Sequence, residues 1–192
     1  MTNAQIDNNY ESSGSFRDAF SKIMGTPPIK ASQKINVLKA SWLDTCLGPM
    51  IAISDNEALY LLEFLDRRGL EREIERLRYR TQSTIISGKT PPIESIEKEL
   101  AAYFAGTLTT FKTPLFLLGS PFQKMVWNAL CQIPYGTTKS YAEQAQIIGK
   151  PTASRAVANA NGANQLAFII TFQRFIFISV YIVGYGGGPT RK

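Results

Sequence analysis

The sequence predicts an α+β chain, a small N-terminal α/β domain followed by a mostly helical domain built around a helix-turn-helix. Three observations carry that prediction. Strand-like runs separated by turn residues fill residues 35–65. Two amphipathic helical patterns follow them. From Ser120 onward, short helical segments broken by glycine and proline replace strands altogether. The chain has 192 residues, 44% of them hydrophobic, enough for a sizeable core.

Residues 1–9 show no periodic pattern. "YESSGSFRDAFSKIMG" (10–25) reads as a short amphipathic helix, with Phe16, Phe20, Ile23 and Met24 at helical spacing and Gly25 as a stop. "TPPIKASQ" is linker-like. "INVLKASW", "GPMIAISD" and "ALYLLEFL" then read as strands, with Asp55-Asn56-Glu57 as a turn. "GLEREIERLRYR" is a helix with Leu70, Ile74 and Leu77 on one face. "IESIEKELAAYFAGTL" is a second, with Ile93, Ile96, Leu100, Tyr103 and Phe104 three and four apart. "TPLFLL" returns to a short strand, and the first domain ends near Leu118.

Ser120-Pro121 supplies a capping hydroxyl and a first-turn proline. Phe122, Val126, Ala129, Leu130 and Ile133 line one face of the helix it opens. "IPYGTTKS" is a loop. "SYAEQAQIIG" is a short helix closed by Gly149, and "KPTASRAVANANG" opens another after a two-residue break. Together the two read as a helix-turn-helix.

Charge is unevenly placed. Net charge is +6, yet residues 1–119 balance acid against base. Lys124, Lys139, Lys150 and Arg155 face only Glu143 in the stretch that follows, and Arg174, Arg191 and Lys192 complete the excess. That is the footprint of a nucleic-acid partner or of a basic solvated face. The chain has no histidine, which excludes a Ser-His-Asp triad, and Cys46 and Cys131 have no metal-ligand spacing. The polar start "MTNAQIDNNYESS" is not a signal peptide, so a cytoplasmic, reducing setting is expected.

Leu166–Val183 is the one apolar run of membrane length. Gln173 and Arg174 sit at its midpoint, where an arginine costs about 2.5–3.5 kcal/mol in a bilayer. Its β-branched and aromatic residues read better as buried strands, so no membrane partner is expected.

Ala153, Ala156, Ala158 and Ala160 make the last helix slim. A slim helix packs tightly on another helix or approaches a nucleic-acid backbone closely. Arg155, a single long cation near its start, could reach phosphate or a base stack. Tyr141 supplies a rigid aromatic nearby, or a half-buried core residue.

Residues 121–164, "PFQKMVWNALCQIPYGTTKSYAEQAQIIGKPTASRAVANANGAN", resemble the DNA-binding half of the O6-alkylguanine-DNA alkyltransferases, the methylated-DNA–protein-cysteine methyltransferases. "GYGGG" (184–188) matches again. "LGPMIAIS" and "LLEFLDRRGLEREIERL" look like the family's N-terminal domain in its Ada-like branch, and residues 10–25 are similar to the last helix of an AraC-type module. The resemblance implies three parts: a start and AraC-like fragment (1–29), a ribonuclease-H-like α/β domain (30–118), and a DNA-binding domain (119–192).

It also implies roles. Tyr141 corresponds to the tyrosine that pushes the damaged nucleotide out of the duplex, and Arg155 to the finger that fills the gap. The helix of Thr152, Ala153, Ser154, Arg155 and Ala156 would lie in the minor groove. Asn164 matches the asparagine that ties this helix to the active-site loop, and Tyr185, Gly186 and Gly187 match the base pocket. The implied partner is double-stranded DNA containing alkylated guanine, met by a monomer without cofactor or metal, with a repair protein as a further partner.

The family motif Pro-Cys-His-Arg is missing. Eight residues after Asn164 the register gives Thr171-Phe172-Gln173-Arg174, so Phe172 stands at the nucleophile position and Gln173 at the histidine position. Tyr185, thirteen residues further, is back in register. Phenylalanine has no nucleophilic atom. Cys131, on another helix in a neighbourhood read as apolar, is no substitute. A lesion binder without transfer is therefore expected; the alternative is a decayed or miscopied product of an Ada-like methyltransferase and regulator.

Overall fold

The computed structural model describes residues 36–134, 137–166 and 169–170. Four strands form one sheet: β1 (Asn36–Leu43), β2 (Met50–Ser54), β3 (Leu59–Phe64) and β4 (Ser83–Ser87), in the order β3-β2-β1-β4. The first three make an antiparallel meander, and β4 lies parallel to β1. Among the described residues, five helices accompany them: α1 (Leu70–Thr81), α2 (Pro91–Phe104), α3 (Pro121–Cys131), α4 (Tyr141–Ile147) and α5 (Ser154–Gly162). The fold is α+β, as the sequence predicts, with sheet and first helices N-terminal and a helical C-terminal half.

Alternation along the strands gives the sheet two apolar faces. Leu38, Ala40, Ile51, Ile53, Leu61 and Ile85 pack under α1, through Leu70, Ile74 and Leu77. Leu43, Met50, Ala52, Leu62 and Phe64 look the other way, against Ile93, Ile96 and Leu100 of α2. That second core continues without a break into Val126, Trp127 and Leu130 of α3, Ala145 of α4, and Val157 and Ala160 of α5. The two halves therefore share one core. One backbone bond seals the join, Leu62 N–H donating to Gln165 O (2.9 Å), while within the first half Leu59 N–H donates to Pro114 O (2.8 Å). The open edge of β3 is thereby covered on both stretches.

Several elements differ from expectation. β4 is a strand that the hydropathy pattern does not announce, because "STIIS" offers only five residues and its partner lies far away in sequence. "TPLFLL" is no strand; Leu115 makes a single bridge to Leu59, since Pro114 has no N–H with which to extend a ladder. α2 begins at Pro91, on the Thr90 cap, rather than at Ile93. In α3 the buried positions include Trp127, whereas Phe122 is only partly buried. The break before α5 runs over residues 148–153, and Thr152 and Ala153 precede the helix. The amphipathic pattern at 10–25 and nearly all of the apolar run 166–183 lie outside the described residues. Among the described residues, no helix is long and apolar enough to cross a membrane.

Candidate nucleic-acid interface

Each helix of the C-terminal half is started by its own sequence. Ser120 accepts from Gln123 N–H at 3.2 Å while Gln123 accepts from Ser120 N–H at 2.9 Å, a complete capping box on α3. Ser140 and Glu143 do the same for α4. These backbone and hydroxyl donors hold the Glu143 carboxyl below its ordinary value, helped by Lys139. Gly149, at φ 69°, ends α4 in the left-handed region, and Lys150 N–H then donates back to Ala145 O at 2.8 Å. The chain turns through residues 150–153 into α5, which has no side-chain cap.

Polar groups fix α5 from beneath. The Trp127 indole N–H donates to Ala160 O at 2.8 Å. Gln144 donates to Val126 O at 2.9 Å and accepts from Asn161 Nδ2 at 2.8 Å, both side chains being fully buried. Asn161 Oδ1 is buried without a hydrogen-bond partner among the described residues. Asn164, just past the helix, accepts from Leu166 N–H at 3.0 Å and donates to Ile170 O at 2.9 Å. It thus ties the end of α5 to the following segment.

With Val157, Ala160 and Asn161 turned inward, the opposite side of α5 is open. Thr152, Arg155, Ala156, Asn159 and Gly162 are all exposed. Their spacing of three and four makes one stripe along α5 and the turn before it. A Cβ added at Gly162 would meet nothing within 4 Å. Packing therefore explains the small residues of the inner side, Ala160 above all, and leaves the slimness of the outer side unexplained. Ala153 and Ser154 are half-buried at the flank. Tyr141 is the first residue of α4, half-buried against the common core, and burial pushes its hydroxyl up to about 12.

The arrangement brings Thr152, Arg155 and Ala156 onto one surface and sets Asn164 below it. Phe172, Gln173, Tyr185, Gly186 and Gly187 lie outside the described residues. Sequence reasoning missed Asn159 and Gly162, although both follow Arg155 at helical spacing. It missed Gln144 and Asn161 because a polar residue at a buried position reads as exposed. Cys131, expected in apolar surroundings, is exposed, because it ends α3 on the solvent side; neither cysteine is in a disulfide. Among the described residues, no three His, Cys, Asp or Glu side chains could hold a metal.

A sheet domain joined through one core to a helical half, whose slim and open last helix carries Arg155 at its start, is the architecture expected of a chain that meets nucleic acid through its C-terminal part. The comparisons with known proteins agree. Residues 121–192 match the family described as "6-O-methylguanine DNA methyltransferase, DNA binding domain". The methylated-DNA–protein-cysteine methyltransferase of Mycobacterium leprae is 39% identical over 150 residues, 78% of this chain and 85% of the relative. That of Mycobacterium tuberculosis strain H37Rv is 40% identical over the same length and the same shares of both chains. Among solved structures, the Mycobacterium tuberculosis O6-methylguanine methyltransferase superposes with a TM-score of 0.67 at 38% identity, covering 80% of this chain and 87% of that one. The same organism's OGT in complex with DNA gives 0.64 at 38% identity, covering 79% and 85%. The chain belongs to the O6-methylguanine-DNA methyltransferase family, whose reaction moves a methyl group from DNA to a protein cysteine.

Proposed function

We propose that this chain binds alkylated duplex DNA through α5 and does not transfer the alkyl group. The observation that carries the reading is the open stripe of Thr152, Arg155, Ala156, Asn159 and Gly162 on a helix held rigidly from beneath. Small side chains let the helix enter a minor groove, α4 and α5 act as a helix-turn-helix, and Arg155 fills the stack while Tyr141 displaces the target nucleotide. Asn164 connects α5 to the base pocket, which Tyr185, Gly186 and Gly187 line. Phe172 occupies the nucleophile position and Gln173 the histidine position, so the pocket holds the lesion without attacking it.

In this reading the protein is a cytoplasmic monomer of the Ada-like branch, divided at residues 1–29, 30–118 and 119–192, and bound DNA presents the lesion to a repair protein. The second reading, a decayed product, is favoured by the run of changed residues between matching flanks at 165–183. Equilibrium binding to matched duplexes, with and without one O6-methylguanine, separates the two. A preference for the lesion is expected, lost in Arg155→Ala and in Tyr141→Ala, with no methyl added to the intact protein mass. Equal binding to both duplexes by folded protein would leave the second reading standing, and a gain of methyl mass would overturn the first.

A further inference from the structure

The N-terminal half carries a charged feature that this function does not use. On α1, Arg72, Arg76 and Arg80 are exposed and spaced four apart, so they form one row; Tyr79 stands beside them, 79% exposed. Two of the three acidic residues of α1 are paired elsewhere, and the third, Glu71, is exposed without an ion pair among the described residues. Glu73 binds Arg67 at 2.6 Å, and Glu75 binds Arg78 at 3.2 Å. Neither Arg72 nor Arg76 has an ion pair among the described residues. Two successive like-charge pairs at this spacing weaken an isolated helix. Glu71 and Glu75 are exposed on the same helix, so the arginines stand as a row within a mixed surface rather than as its only charges.

We propose that the Arg72–Arg76–Arg80 row, with Tyr79, is a second docking surface for the phosphate backbone of duplex DNA. Guanidinium groups and a phenolic O–H are both phosphate donors. The row is about 12 Å long at 1.5 Å per residue, against one phosphate per about 3.4 Å of each strand. It thus faces a short run of a single strand. Arg80 Nη1 also donates to Leu118 O at 3.3 Å, two residues before the Ser120 cap of α3. The row therefore ends near the start of α3, the first helix of the C-terminal half. This inference rests on the DNA-binding reading and adds a sequence-independent grip outside α5.

The test is the salt dependence of binding to an undamaged duplex of about 30 base pairs, long enough to run past the α5 contact. The full chain is compared with Arg72→Glu/Arg76→Glu and with Lys98→Glu/Lys112→Glu. The second pair makes the same change in net charge at exposed positions of the same half. The arginine variant is expected to bind about tenfold more weakly, with a slope of log K against log salt shallower by about 1–2, at about 0.9 per lost phosphate contact. The lysine variant should stay close to the parent. Equal effects of the two pairs, or none from either, overturn the proposal. Arg72→Ala/Arg76→Ala repeats the test if the charge reversal disturbs folding. Where the parent binds and Arg155→Ala loses lesion preference while the row is silent, this inference alone fails. A folded parent that binds no duplex overturns both readings.

Discussion

The two halves bury their polar groups in opposite ways. Beneath α1, the N-terminal half buries a charge: Glu63 is 2% exposed, bonded to Arg67 at 2.6 Å, and Arg67 also holds Glu73. The C-terminal half buries neutral amides, Gln144, Asn161 and Asn164, around the foot of α5. Amides do not titrate, so the platform of the candidate interface keeps its hydrogen bonds across the whole range in which Glu63 changes charge. The described cations Lys124, Lys150 and Arg155 of the C-terminal half are exposed, where salt modulates them. The first half should answer to pH through its interior, and the second to salt through its exterior.

That contrast is useful only if the halves unfold together, which the shared core requires. Trp127 is the largest side chain on the C-terminal side of the join. Its ring lies against Gly119, where an added Cβ would come within 2.5 Å, and its N–H holds Ala160. Trp127→Ala should cost about 3–5 kcal/mol, the usual range for a large core aromatic. Trp42 in β1 would then remain as the only tryptophan. Its fluorescence and the helical circular dichroism should follow one coincident denaturant transition. Two separated transitions would break the picture of a common core.

Glu63 gives the next effect. Burial raises its carboxyl to about 7, from 4.5, against the opposing pull of Arg67. Between these values the folded protein holds a proton that the unfolded chain has released. The Glu63 contribution to stability therefore grows as pH falls from above 7 to about 4.5, by at most about 3 kcal/mol. Unfolding free energies of the parent and Glu63→Gln, measured from pH 5 to 8, should differ by an amount that changes with pH in this sense. A constant difference would remove Glu63 as the source of the slope.

Much of this molecule was legible in the sequence wherever local chemistry decides the outcome. The Ser120 cap, the Gly149 stop, the Asp55 turn and the apolar face of α1 all depend on neighbours within a few residues. What was hidden depends on distant partners. β4 exists because β1 offers it an edge more than forty residues away in sequence, and "TPLFLL" stays irregular because only Leu115 finds a partner there. The candidate site divides likewise. Arg155, Ala156 and Asn164 were found through a motif, and the stripe that continues through Asn159 and Gly162 follows from helical spacing. The Gln144–Asn161 bond left no trace, since hydropathy places both residues outside.

That bond yields the smallest effect and the sharpest test of the contrast. Gln144→Leu removes the donor to Val126 O and leaves both ends of a buried Asn161 unpaired. A cost of about 1–3 kcal/mol follows from orphaned buried groups. Asn161→Leu should cost less, because its Oδ1 already lacks a partner among the described residues and only the Gln144 carbonyl is newly stranded. The double variant, apolar on both sides, should recover much of the first loss, because replacing both partners of a buried pair by shape-matched apolar groups approaches neutrality. All three differences should be flat between pH 5 and 8, unlike that of Glu63→Gln. Additive losses in the double variant would mean that the two amides act separately rather than as one buried pair.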